Sequence, residues 1–101
     1  MDNLFIKEKH LKNLLLIFEN YCPKAEIWAY GSRVDGRAHE GSDLDLCVKT
    51  FGDDTKNITG LRELLTESNI PFLIDIFEFD KLPESFQKEI EKTHIVIFPF
   101  E

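Results

Sequence analysis

Two aspartates, Asp43 and Asp45, stand one residue apart in the run SDLDLCV, residues 42–48. In an extended chain that spacing turns both carboxylates, with Cys47, to one face and Leu44, Leu46 and Val48 to the other. A third acid, Asp75, interrupts the apolar run PFLIDIFEF and shares a period-two face with Leu73 and Phe77. If these two strands are neighbours, three carboxylates meet on one side of a sheet. Two unit charges about 4 Å apart repel by roughly 4 kcal/mol at an effective dielectric of ~20, against a domain stability of only ~5–15 kcal/mol. A divalent cation removes that penalty, and carboxylate oxygens completed by water and substrate phosphates suit magnesium. The same acids also fit a plainer arrangement, with Asp43 and Asp45 on a solvated sheet face and Asp75 on an exposed edge.

Upstream of the acids, the β-rich segment AEIWAY runs into Gly31-Ser32. A glycine there lets backbone N–H groups and a hydroxyl come close to a phosphate, and a helix start after it favours an anion. Arg33 beside the turn offers a forked cation suited to phosphate or carboxylate; taken singly, Ser32 is equally a helix cap and Arg33 a surface arginine. Gly36 and Gly41 supply turns in the connection, with His39 as a solvated loop residue. His10 and His94 have no ligand-like neighbours and read as packing or surface residues, and Cys22 and Cys47 read as small buried thiols. Asp53-Asp54 and Glu89 to Glu91 read as solvated charge.

The elements that must position these residues follow from periodicity. Leu11, Leu14, Leu15 and Phe18 form the stripe of an amphipathic helix spanning Leu4 to Asn20 and ending before Pro23. Ala25 to Tyr30 is a strand, followed by a turn and a single helical turn through Asp35; Ser42 to Val48 is the next strand, and residues 51–56 are a loop. NITGLRELLTES is a helix weakened by Gly60, Phe72 to Phe79 is a strand, LPESFQKEIEKT is a helix with Pro83 near its start, and HIVIF is a last strand. The order implies an α+β or α/β sandwich of one sheet covered by helices, and we read it as α+β with a small mixed β-sheet of about four strands.

Composition bounds the rest. At 101 residues, with no repeat or low-complexity tract, residues 1–101 are expected to fold as a single domain. A net charge of −7 repels a phosphate backbone, so no direct nucleic-acid partner is expected. The charged start MDNLFIKEKH and the absence of any run near ~18 apolar residues point to a cytoplasmic protein without a membrane partner.

The stretch GSRVDGRAHEGSDLDL, with Gly31-Ser32, then Gly36, then Ser42-Asp43-x-Asp45-Leu46, resembles the signature of the DNA polymerase β-like nucleotidyltransferase superfamily. Within it the chain resembles the minimal nucleotidyltransferases, the MNT-domain or MntA-like antitoxins of prokaryotes, over essentially its entire length. The resemblance implies the polymerase β palm-like fold, Asp43 and Asp45 as ligands of two catalytic Mg2+ ions, and Asp75 as the third carboxylate. It further implies ATP as substrate, bound by Gly31 and Ser32 with Arg33 and Ser42 assisting, and release of pyrophosphate.

Members of that family are described as silencing a helical HEPN-domain toxin by transferring AMP to one of its tyrosines. The implied partner is therefore a HEPN toxin, in a homo- or hetero-oligomer. Two alternatives stand beside this reading: an antitoxin that neutralises a HEPN partner by occlusion without catalysis, and a small-molecule enzyme of the aminoglycoside nucleotidyltransferase type. Asp35 departs from the family pattern by placing an acid next to the phosphate turn.

Overall fold

The computed structural model describes residues 4–39 and 41–99. Helix α1 spans Glu8–Tyr21 and buries Leu14 and Phe18. It begins one turn later than its apolar stripe predicts, because the residues before it are tied elsewhere. The Phe5 N–H donates to the Arg33 carbonyl at 2.7 Å, and Leu4 is buried in the core.

Strand β1, Glu26–Tyr30, leads through Gly31 into the single turn α2, Ser32–Asp35. Strand β2 is Leu44–Thr50, and helix α3, Ile58–Glu67, follows the loop. The α3 N-cap is Asn57, whose side-chain oxygen accepts the Gly60 N–H at 2.9 Å. Gly60, a weakness by helix propensity, lies against the Tyr21 phenol, which would have to shift to admit a Cβ there. Strand β3 is Ile74–Glu78; a 3-10 turn, Phe79–Lys81, leads to helix α4, Glu84–Lys92, and strand β4, Ile95–Phe98.

The sheet has four strands in the order β3-β2-β1-β4. Strand β1 is antiparallel to both β2 and β4, whereas β2 and β3 are parallel, so the sheet is mixed. Parallel pairing needs a crossover, and α3 supplies it.

The two sheet faces are covered unequally. Ile27, Ala29, Leu44, Leu46, Val48, Ile76 and Ile97 join residues of α1 and α3 in one continuous apolar core. On the other face Trp28, Tyr30, Cys47, Phe79 and Ile90 form a smaller cluster under α4. Cys47, on the acid side of β2 by alternation, is fully buried as its residue type implies, because α4 and the 3-10 turn cover that half of the face. His94 stacks on Trp28 at 3.9 Å between centroids and His10 meets Phe72 edge-on, both packing roles. Cys22 and Cys47 are buried free thiols whose pKa burial pushes up to about 11.

Candidate functional site

The central fact of the site is a register. In the β2–β3 pair Asp45 lies directly opposite Asp75, and in the β1–β2 pair Tyr30 lies directly opposite Asp45. Side chains opposite one another on neighbouring strands, about 4.8 Å apart, point to the same face. Tyr30, Asp45 and Asp75 therefore form a row across β1, β2 and β3, which runs from Tyr30, buried under α4, to Asp45 and Asp75 beyond the cluster that α4 covers.

Charge and burial act together on this row. The Asp45 carboxyl is half-buried, and its pKa is raised by loss of solvation first, then by the charges of Asp75 and Asp43. The Tyr30 phenol is pushed up to about 12, chiefly by burial, with Asp45, Cys47 and Asp75 adding to it. Asp75 is exposed on its edge strand, and Asp43 is exposed just before β2 begins.

The turn at the end of β1 lies against the same carboxylate. Gly31 adopts φ 78°, a left-handed value that suits glycine, and a Cβ at this position would collide with Asp45 Oδ2. Both constraints hold Gly31 bare, and they bring the Gly31-Ser32 backbone against Asp45. Gly36, at φ 89°, closes the α2 turn in open space.

Arg33 behaves differently from a surface residue. It is 2% exposed and its guanidinium reaches back into the protein. Nε and Nη2 donate to the Ser42 carbonyl at 3.0 and 2.6 Å, Nη1 donates to the Phe5 carbonyl at 2.7 Å, and the group lies 4.1 Å over the Phe72 ring. Burial lowers its pKa and the Asp43 charge opposes that shift. Arg33 thus clamps the loop that delivers Asp43 to the turn that carries Ser32. Ser42 closes the same loop from the other side, its Oγ accepting the His39 N–H at 3.0 Å. Asp35 is exposed and engaged by Arg37, which donates to it from Nε at 2.8 Å, and this partner holds its carboxyl below the usual range.

Among the described residues no three carboxylate, imidazole or thiol groups are drawn together closely enough to hold a metal ion by themselves. The donor set nevertheless fits magnesium. It is all hard oxygen, two of the carboxylates face each other in register, and this ion takes one or two carboxylates and completes its shell with water and phosphate. The mutual repulsion that raises the Asp45 pKa is what such a cation relieves.

Spacing and alternation predict the facing of Asp45 and Asp75, and the turn before them. Tyr30 is absent from that reading, because its place in the row depends on the antiparallel register of β1 on β2. A period-two count from Trp28 to Tyr30 was the available signal. The Arg33 clamp had no signal in the sequence, since it needs residues 4–6 folded back beside α2.

Comparison with known proteins agrees with this geometry. Residues 12–99 match the polymerase β nucleotidyltransferase family. The chain is 32% identical over 97 residues to the probable protein adenylyltransferase MntA of Haemophilus influenzae, covering 93% of this chain and 83% of that protein. It is 30% identical over 89 residues to a speckle targeted PIP5K1A-regulated poly(A) polymerase of Xenopus tropicalis, covering 83% of this chain but 11% of that much longer protein. A crystal structure of a toxin-antitoxin with AMP-PNP shares the fold, with a TM-score of 0.68 and 20% identity, covering 87% of this chain and 72% of the other. No helix among the described residues is long and apolar enough to cross a membrane. A family match over most of the chain, together with 32% identity to a relative covered over 83% of its length, makes this chain a member of the polymerase β nucleotidyltransferase family, an MNT-like nucleotidyltransferase.

Proposed function

We propose that the protein is a magnesium-dependent protein adenylyltransferase that transfers AMP from ATP to a tyrosine of a partner HEPN toxin and acts as its antitoxin. The observation that carries this reading is the register of Asp45 on Asp75 with the Gly31 turn against Asp45. The similarity to a probable protein adenylyltransferase and to a toxin-antitoxin structure containing an ATP analogue supports the choice of nucleotide and of partner.

In this reading Gly31 and Ser32 bind the triphosphate of ATP through backbone N–H groups and a hydroxyl. Arg33 and Ser42 act by positioning: they fix the loop from which Asp43 projects. Asp43, Asp45 and Asp75 hold magnesium, which when bound neutralises the triphosphate and lowers the pKa of an attacking hydroxyl. The acceptor oxygen forms a bond to the α-phosphorus while the bond from that phosphorus to the oxygen bridging to the β-phosphate breaks. Pyrophosphate leaves with the electron pair, and the hydroxyl proton passes to Asp75, the most open of the row.

The test is the intact mass of the protein encoded beside this chain, after incubation with this protein, ATP and magnesium. Mass increments of AMP that vanish with Asp45→Asn are expected. A partner that co-purifies yet never gains mass would replace the reading with neutralisation by occlusion.

A further inference from the structure

We infer that the outer side of β3, with Leu73 and Phe77 flanking Asp75, docks the polypeptide segment that presents the acceptor hydroxyl; this rests on the row Tyr30, Asp45, Asp75 being the transfer site. Leu73 and Phe77 are exposed at 70% and 41%, and they share the Asp75 face of the strand by alternation. A groove of about 620 Å³ runs between α3 and this edge, walled by Arg62, Leu65 and Thr66 on one side and by Leu73, Asp75 and Phe77 on the other. Exposed apolar side chains on either side of a site acid mark a surface meant to be covered.

The sheet order says what covers it. Gly31, where the nucleotide is assigned, ends β1, on one flank of Asp45; β3 lies on the other flank and is the sheet edge. A second substrate must approach from the β3 side. The apolar residues lie four positions apart, about 13 Å in a strand, which is more than one side chain fills and suits a polypeptide bringing its hydroxyl between flanking apolar groups. Its chemistry is set by charge: Asp75 lies between the two apolar residues and the chain carries −7, so the complementary segment is basic as well as apolar.

The edge also excludes one binding mode. The Arg62 guanidinium donates from Nε and Nη2 to the Ile76 carbonyl at 3.1 and 2.7 Å and lies 5.4 Å over the Phe77 ring. An outward carbonyl of β3 is thereby already engaged, which guards the edge against strand addition. The occupant lies on the side chains.

The experiment compares wild-type protein with Leu73→Ser/Phe77→Ser, using as probe the protein encoded beside this chain. Leu16→Ser, which removes an apolar side chain 55% exposed on α1, serves as the control. The double variant should keep its melting temperature and its affinity for ATP with magnesium. Its affinity for the partner, by titration calorimetry, and its KM for the partner in the transfer assay should each worsen by about tenfold or more. Unchanged affinity and KM in the double variant overturn the docking surface while leaving the enzyme reading intact. Binding lost in the double variant, with wild type that binds but transfers nothing, supports the docking surface and refutes the enzyme reading. Transfer to free tyrosine as efficient as transfer to the partner also overturns it, since no polypeptide contact would then be needed.

Discussion

The two faces of one sheet have been built to different rules. Beneath α1 and α3 every inward side chain is apolar, and Ile27, Leu44, Leu46 and Ile97 are fully buried. On the opposite face the small cluster around Trp28 and Cys47 gives way within one register step to Asp45 and Asp75. The strands are shared, so the alternation that puts Leu44 and Leu46 into the core is what turns Asp45 out of it. Stability is concentrated on one face, which leaves the other free to carry mutually repelling charge.

If that division holds, substitutions on the two faces fail in different ways. Asp45→Asn should lower transfer to the partner on the order of a thousandfold with the fold unchanged, measured as kcat/KM beside a circular-dichroism melt. Leu14→Ala, on the sealed side, should cost about 2–5 kcal/mol in urea unfolding, yet leave kcat per folded molecule where it was. A Leu14→Ala protein that stayed as stable as its parent would show that the apolar face is not where the stability lies.

The two glycines of the turn sharpen the same contrast. Both have positive φ, so alanine at either costs about 1 kcal/mol of backbone strain. Only at Gly31 does the added methyl meet the Asp45 carboxylate, whereas at Gly36 it meets nothing within 4 Å. Gly36→Ala should lose about 1 kcal/mol and keep full transfer activity. Gly31→Ala should lose more, about 2–3 kcal/mol, together with its activity. Equal activity in the two variants would disconnect the turn from the acid row.

How much of this could be read from the chain depends on the range of the interaction. Alternation over Ser42 to Val48 and the lone acid in the Phe72 to Phe79 run are local patterns, and they already imply that Asp45 and Asp75 can share a face. The order of helices and strands follows from periodicity in the same way, whereas the mixed pairing depends on which strands meet. The burial of Cys47 is not local: it depends on α4 and the 3-10 turn docking on the sheet, where Gln87 donates to the Phe79 and Leu82 carbonyls at 2.9 and 3.0 Å. Arg33 is the clearest case. Its neighbours in sequence describe an exposed turn, but its partners are the carbonyls of Phe5 and Ser42, 28 and 9 positions away. A buried arginine and a surface arginine have the same sequence signature, and only the folded contacts separate them.

The smallest expected effect is also the most direct test of repulsion on the open face. The folded-state pKa of Asp45 is raised, so the native protein holds that proton more tightly than the unfolded chain does. Stability therefore declines as pH rises from the unfolded value through the folded one. Without magnesium, Asp45→Asn should be more stable than its parent at pH 7 by on the order of 1 kcal/mol. The gain should fade as the pH falls below the ordinary carboxylate range, where both states are protonated. Asp75→Asn removes one of the charges that raise the Asp45 pKa, so it should unfold at the same or a higher temperature than the parent under the same conditions. Added magnesium should reverse the order, raising the melting temperature of the parent more than that of either variant, because only the parent keeps the facing pair of carboxylates. A clear loss of stability in Asp75→Asn without magnesium would mean that this carboxylate supports the fold, and the acid row would lose its reading as strained charge awaiting a cation.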